Sequence, residues 1–368
     1  MDTQYNYYET ELNALKKTNR FRKREIFDNN LIDLASNDYL GLASNNKLIN
    51  KGFKKLQQQR CKSPKASLLV NGYHNIHKQF EKKLAKFNHF ESAIIVGSGF
   101  LANISLIESL IRKKDTLFID EYYHASGILA TSLVQGNVIV FKHNDPTDLE
   151  QKIQNSKAKR IVIAIEGIYS MHGDIASKKF YNIAQKYNAL LIVDEAHSSG
   201  IIGKNLLGWY DYHNIKIEPN HIKMGTLGKA YGSYGAYILA SKHIISYLEN
   251  RAKPIIYSTS LSLFDTALGY TNLKYISKHK KQIKKNIKQN QKIFFDILGI
   301  KTKSLILPIE INDNKKVLQL QKELINYGFL IGAIRQPTVN KAILRIILKL
   351  DIPKKNMIQL ASILNKIL

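Results

Sequence analysis

The sequence predicts an α/β fold: a mostly parallel seven-stranded sheet flanked by helices, followed by a smaller C-terminal α/β domain. Three observations carry the prediction. Short β-branched runs alternate with amphipathic stretches through the middle of the chain, the pattern of parallel strands joined by helical crossovers and covered on both faces. Residues able to do chemistry fall just after several of those runs. A shorter second set of strand and helix signals follows a Lys-rich stretch near the C-terminus.

In chain order, the strands of the large domain are expected at 93–96, 116–119, 138–141, 161–165, 190–194, 222–226 and 236–239. Helices are expected between them at 100–112, 126–134, 147–155 and 178–187. Pro146 suits the opening of the third of these helices, because the first turn has no acceptor for the N–H that proline lacks. An N-terminal arm over 1–60 starts with a helix at 8–24 and continues through an apolar stretch at 31–42. The large domain is read as 61–278 and the small one as 279–368. The small domain opens on a Lys-rich helix at 280–293 and continues with a strand at 304–311 and a helix at 316–327. Strands at 331–334 and 342–348 and a last helix at 355–368 complete it.

Composition narrows the class. With 44% hydrophobic and 23% charged residues, the 368-residue chain has the make-up of a folded globular protein. Cys61 is the single cysteine, so neither an intrachain disulfide nor a cysteine-based zinc cluster is available. No apolar run reaches the ~18 residues of a membrane span, and no signal-like segment opens the chain, so a cytoplasmic protein away from membranes is expected. The net charge of +26 raises a nucleic-acid reading. The lysines are instead dispersed along the whole chain, in pairs such as Lys54-Lys55, Lys113-Lys114 and Lys284-Lys285. In a chain rich in Asn and Ile this points to compositional bias, and no nucleic-acid motif is present.

Three features share one chemical logic. Asp194-Glu195-Ala196-His197 sits at the carboxyl end of an apolar strand, where ligands of open α/β sheets bind. Lys229 follows another strand within the small-residue loop Thr226-Leu227-Gly228-Lys229. Gly97-Ser98-Gly99-Phe100 turns from a strand into a helix, offering free N–H groups and a positive dipole end to a phosphate. Alone, each has a blander reading as a loop, a cap or a metal pair. Together they are what pyridoxal phosphate requires: an amine, a carboxylate for the ring nitrogen and an anion site. A Walker A loop is excluded by spacing around Lys229, and a dinucleotide fingerprint lacks its third glycine.

The sequence resembles the α-oxoamine synthases, a family of fold-type I pyridoxal-phosphate enzymes, over nearly its whole length. The landmarks occur in the family's order. They are Ser36-Asn37-Asp38-Tyr39-Leu40-Gly41-Leu42, Asn71-Gly72-Tyr73 with His77, Gly97-Ser98-Gly99-Phe100 with Asn103, and His124-Ala125-Ser126. Then follow Glu166-Gly167-Ile168-Tyr169-Ser170-Met171, Asp194-Glu195-Ala196-His197, Thr226-Leu227-Gly228-Lys229, Tyr257-Ser258-Thr259-Ser260 and Arg335-Gln336-Pro337-Thr338-Val339.

The resemblance implies a role for each matched residue. Lys229 would be the Schiff-base lysine and the acid/base at Cα, and Asp194 the partner of the ring nitrogen. His197 and Ser170 would contact the phenolic oxygen, and His124 the ring face. Gly99, Phe100 and Thr226 would hold the phosphate, with Ser258 and Thr259 reaching the phosphate of the neighbouring subunit in a homodimer with shared active sites. Asn37, Arg335, Thr338 and an N-terminal arginine, Arg22, would meet substrate. No metal is implied. His77, His89, His143 and His172 read as packing or surface histidines, and Glu195 should point away from the ring. The segment 63–70 departs from the family's glycine-serine-rich stretch, and His172 stands where the family commonly has Asp. Residues 333–339 favour the branch that serves biotin synthesis. There L-alanine condenses with a pimeloyl thioester, on coenzyme A or an acyl carrier protein, with loss of carbon dioxide. The alternatives are glycine C-acetyltransferase chemistry and, from another class, a basic nucleic-acid-binding protein.

Overall fold

The computed structural model describes residues 3–368, with side chains from Asn6 onward. Its strands, in chain order, are β1 (Ile32–Asp33), β2 (Ser92–Val96), β3 (Asp115–Asp120), β4 (Asn137–Phe141), β5 (Arg160–Glu166) and β6 (Leu190–Asp194). They continue with β7 (His221–Thr226), β8 (Ala236–Ala240), β9 (Ile306–Glu310), β10 (Phe329–Leu330), β11 (Gly332–Ile334) and β12 (Ile343–Ile347). Two compact units result. The larger comprises Asn37–Ser170 and Asp174–Gln289, the smaller the segment through Ser36, Met171–Gly173 and Asn290–Leu368.

The larger unit carries a seven-stranded sheet in the order β2-β8-β7-β6-β5-β3-β4. All its pairs are parallel except those of β8, which runs antiparallel to β2 and β7. Each of the seven strands expected from the sequence is a member. They are rich in Ile, Val and Leu because helices cover both faces; β3 and β8 are buried at every residue. One core cluster joins Ile94, Leu117, Ile192, Ile222 and Ile238 of the sheet to Ala102, Leu106 and Leu110 of helix Gly99–Leu110. The parallel strands β3, β5, β6 and β7 end on one edge, which places 121–124, 167–170, 195–197 and 227–229 side by side.

In the smaller unit, β11, β12 and β9 form an antiparallel sheet, and β1 pairs in parallel with β10. That pairing, extended by Leu34 N donating to Leu330 O (2.9 Å) and Ile347 N to Leu34 O (2.8 Å), ties the N-terminal segment to the C-terminal one. The compact units therefore divide at Ser36, against the 60 read from the sequence. They divide again at Gln289, against 278, because helix Leu263–Leu298 runs unbroken for 36 residues where the sequence suggested 280–293. The N-terminal helix spans Thr3–Lys17, not 8–24. The left-handed backbone of Asn19 (φ 55°) ends it, a conformation asparagine tolerates at a helix terminus. No described helix is long and apolar enough to cross a membrane.

Candidate active site

A cleft at the carboxyl edge of the large sheet is lined by Gly99, Phe100, Asn103, His124, Glu166, Asp194, Ala196, His197, Met224, Thr226 and Lys229. It gathers Gly99, Phe100, His124, Asp194, His197, Thr226 and Lys229, half of the site residues expected from the sequence, each delivered by a strand end or the turn after one.

Asp194 is the last residue of β6 and is buried. Its Oδ1 accepts the Ala196 N–H (2.9 Å) and its Oδ2 accepts from Asn103 Nδ2 (2.9 Å). Asn103 lies on helix Gly99–Leu110, where its Nδ2 also donates to Ser126 Oγ (2.9 Å) and its Oδ1 accepts the Tyr123 hydroxyl (2.8 Å). The amide thus fixes the carboxylate and binds the 123–126 turn to the same point. In that turn His124 caps the next helix, its Nδ1 accepting the Ser126 N–H (3.2 Å) and lying 2.7 Å from Ser126 Oγ. Burial first, and then the Lys229 ammonium, hold the imidazole below its usual range, against the pull of Asp194. A neutral flat ring suits stacking on an electron-poor heterocycle.

Lys229 lies in the tight 227–235 connection between antiparallel β7 and β8. Its Nζ is 2.6 Å from His197 Nε2, and His197 Nδ1 is 2.5 Å from the Tyr39 hydroxyl. Tyr39 Oη in turn donates toward Asn37 Oδ1 at 3.4 Å. Four residues from three separate stretches of sequence therefore form one chain of polar contacts. Because an imidazole can pass hydrogen-bond polarity from one nitrogen to the other, the Lys229–His197–Tyr39 part can run in either direction, with Tyr39 donating to Asn37 Oδ1 only when His197 donates to Tyr39.

Elsewhere along the cleft, where Gly99 and Phe100 line it, Ser98 caps helix Gly99–Leu110 by accepting the Leu101 N–H (3.2 Å). The N–H groups of Gly99 and Phe100 belong to the first turn, which has no intrahelical acceptors. A Cβ on Gly99 would stand 3.9 Å from Thr226 Cβ, ordinary van der Waals contact, so the helix end and the Thr226 side chain lie next to each other in the cleft lining. Thr226 Oγ1 donates to Gly235 O (3.0 Å) and accepts the Gly228 N–H (3.2 Å).

Other expected residues lie elsewhere. Ser170 is buried and does not line the cleft; its N–H donates to Glu166 Oε2 (3.0 Å). Ser258 and Thr259 are not among the lining residues either. Thr259 is bridged to Ser67, and Ser260 N donates to Ala66 O (3.0 Å). Arg22, Arg335 and Thr338 belong to the smaller unit. There Arg22 donates to Thr338 Oγ1 (2.9 Å), Arg335 to Phe21 O (2.9 Å) and Arg20 to Gln336 Oε1 (2.5 Å). Arg20 Nε and Arg335 Nε are buried with no hydrogen-bond partner among the described residues. Unspent guanidinium donors of this kind suit an anion.

Glu195 points away from the cleft, into the interior. It accepts from Ser198 Oγ and the N–H groups of Trp209 (2.6 Å) and Tyr210 (3.4 Å), and faces Lys223 at 3.9 Å. Gly208 (φ 93°) permits this approach, because a Cβ there would stand 1.8 Å from Glu195 Oε2.

Sequence reasoning missed five groups as working parts. Asn103, Glu166 and Tyr39 stood inside recognised motifs without a role, and Arg20 was passed over beside Arg22. His143, read as a packing histidine, bridges Asp120 Oδ1 (3.1 Å) and Asp174 Oδ2 (3.2 Å). Asp120 Oδ2 also accepts the Tyr169 hydroxyl (2.7 Å) and Oδ1 the Tyr122 N–H (2.8 Å), so this carboxylate holds the turns leading to His124 and Ser170. His77 is buried with Nε2 2.8 Å from Leu261 O, whereas His89 and His172 are exposed.

A family model for aminotransferase class I and II matches residues 29–364. The 8-amino-7-oxononanoate synthase of Helicobacter pylori strain J99 is 48% identical over 359 residues, covering 97% of this chain and 96% of that protein. The solved 8-amino-7-oxononanoate synthase of Francisella tularensis aligns with a TM-score of 0.78 at 29% identity, over 92% of this chain and 98% of that one. The serine palmitoyltransferase of S. paucimobilis, solved with pyridoxal phosphate and myriocin bound, gives a TM-score of 0.88 over the full length of both chains. At 21% identity this last is a likeness of fold.

Proposed function

Because the chain belongs to the class I and II aminotransferase family and, within it, to the 8-amino-7-oxononanoate synthases, we propose that it condenses L-alanine with a pimeloyl thioester. The products are 8-amino-7-oxononanoate, carbon dioxide and the free thiol, a step of biotin synthesis. It does so as a cytoplasmic homodimer. The observation that carries the reading is the meeting of Lys229, His197 and Asp194 in one cleft facing a helix N-terminus.

Pyridoxal phosphate is the cofactor, and the residues fit it. The cleft lining formed by Gly99, Phe100 and Thr226, with the N–H groups of the first helical turn, suits a phosphate. Bound there, the cofactor supplies an electron sink for the charge left when substrate Cα loses its proton. The chain's own groups do the rest. Asp194, fixed by Asn103 and Ala196, would anchor the ring nitrogen, and His124 would lie against the ring face. His197 would donate to the phenolic oxygen; Ser170, expected there too, does not line the cleft and would have to reach that oxygen from behind its wall. The Lys229 amine takes the Cα proton and returns one to the product; its contact with His197 gives that proton a place to go. Ser258 and Thr259 act on the partner subunit's site. In the smaller unit, Arg335 and Arg22 supply guanidinium donors to carboxylates, and Thr338 lines the acyl chain. Asn37 meets the amino acid.

The test is a product assay by mass spectrometry on the cofactor-loaded protein. L-Alanine with pimeloyl thioester should give 8-amino-7-oxononanoate, whereas glycine with acetyl thioester should not turn over comparably. The reverse preference, or a protein without chromophore that binds DNA with steep salt dependence, would reject the proposal.

A further inference from the structure

Glu166 ends β5 directly beside Asp194, its register partner at the end of β6. Paired residues of parallel strands project from the same face of a sheet, and both line the same cleft. The Glu166 side chain is buried. Its Oε2 accepts the Ser170 N–H, but its Oε1 is buried with no hydrogen-bond partner among the described residues. An acceptor-only carboxylate with one bare oxygen, next to a second carboxyl group, is a costly arrangement. A neutral acid resolves it: Oε2 is the carbonyl that Ser170 N–H satisfies, and Oε1–H is an unused donor beside the cleft that Glu166 lines. Burial first, and Asp194 next, push the Glu166 carboxyl well above its usual range, outweighing Lys229 and the Ser170 N–H.

What this donor meets follows from the order of the strands. Thr226 ends β7 on one side of β6, and Glu166 ends β5 on the other. With the ring nitrogen on Asp194 and the phosphate on the Gly99–Thr226 side, the far edge of the ring faces β5. In pyridoxal phosphate that edge bears the phenolic oxygen. We propose that Glu166 is a further cofactor-contacting residue, a neutral carboxylic acid whose Oε1–H donates a hydrogen bond to the phenolic oxygen. The inference rests on the cofactor assignment above and adds a donor to those expected from His197 and Ser170.

The experiment compares the cofactor-loaded wild type with Glu166→Gln, which keeps a neutral donor, and Glu166→Leu, which removes it. Infrared difference spectra of wild type against Glu166→Gln should show the carbonyl band of a protonated carboxylic acid present only in the wild type. Cofactor release should be about tenfold faster in Glu166→Leu, the size of one lost buried hydrogen bond, and near wild type in Glu166→Gln. Should Glu166→Leu fail to fold, the infrared comparison decides alone. A carboxylate band in the wild type, or equal release from all three proteins, overturns the proposal. A wild type that takes up no pyridoxal phosphate overturns the cofactor assignment beneath it.

Discussion

Tyr39→Phe removes one hydroxyl and changes almost nothing else in shape. That hydroxyl meets His197 Nδ1 at 2.5 Å, and His197 Nε2 meets Lys229 Nζ at 2.6 Å. Tyr39 is 1% exposed and His197 5%, so water has little room to replace the lost group. When Lys229 donates to Nε2, Nδ1–H must donate to Tyr39; when Nε2–H donates to a ligand, Tyr39 must donate to Nδ1. The hydroxyl serves both states, so its loss weakens the switch between them. Removing a partner from a buried polar atom costs about 1–3 kcal/mol, or roughly 5- to 150-fold in rate if the loss is felt in the proton-transfer step. Steady-state condensation should show kcat falling within that range while KM for L-alanine moves less than about threefold, because the hydroxyl touches the proposed substrate residue Asn37 only at 3.4 Å, the long end of the chain. Circular dichroism should be unchanged. A folded Tyr39→Phe protein with kcat within about twofold of wild type would refute the relay.

Two further predictions test what supports the cleft. Burial works against a charged His143, but its hydrogen bonds to Asp120 and Asp174 outweigh it and raise the ring to about 9. A raised value means the stabilisation is fully present below the unfolded value near 6.5 and is lost as pH climbs through about 9. Urea unfolding should therefore show wild-type stability declining across this window, by on the order of 3 kcal/mol at most. His143→Gln should be flat there; a wild-type curve equally flat would contradict the assignment. Lys223→Met leaves Glu195 buried without its cation and also strips donors from Asn88 Oδ1 (2.9 Å) and Leu207 O. Denaturant titration should register a loss of about 3–5 kcal/mol, and a loss below about 1 kcal/mol would show that the pair is not what holds Glu195 in place.

The parts of the site legible in the sequence are those announced by local pattern. Asp194, His197, Lys229 and Gly99 each follow a β-branched run, and a parallel sheet brings consecutive strand ends to one edge whatever the details of packing. Glu166 ends such a run too, but its meaning depends on β5 lying beside β6, a pairing no periodicity reveals. Tyr39 and His197 are 158 residues apart, and Asn103 and Asp194 are 91 apart. Such contacts exist only once the chain has folded. His143 illustrates the same limit: nothing near it in sequence foretells Asp120 and Asp174. The β1–β10 pairing likewise joins residues from opposite ends of the chain, so the arm read from the sequence as separate clusters with the C-terminal unit. The long helix was read from its Lys-rich second half, because Gly269 and the small residues near it obscured the first.

The central claim is that the Lys229 amine moves the Cα proton of the amino acid. Nuclear magnetic resonance of L-alanine in deuterated buffer measures this directly, with the cofactor-loaded protein and no thioester present. Wild type should exchange the Cα proton for deuterium. Lys229→Ala should slow exchange by about 10²–10⁴-fold while still taking up pyridoxal phosphate. Exchange at the wild-type rate in Lys229→Ala would contradict the account.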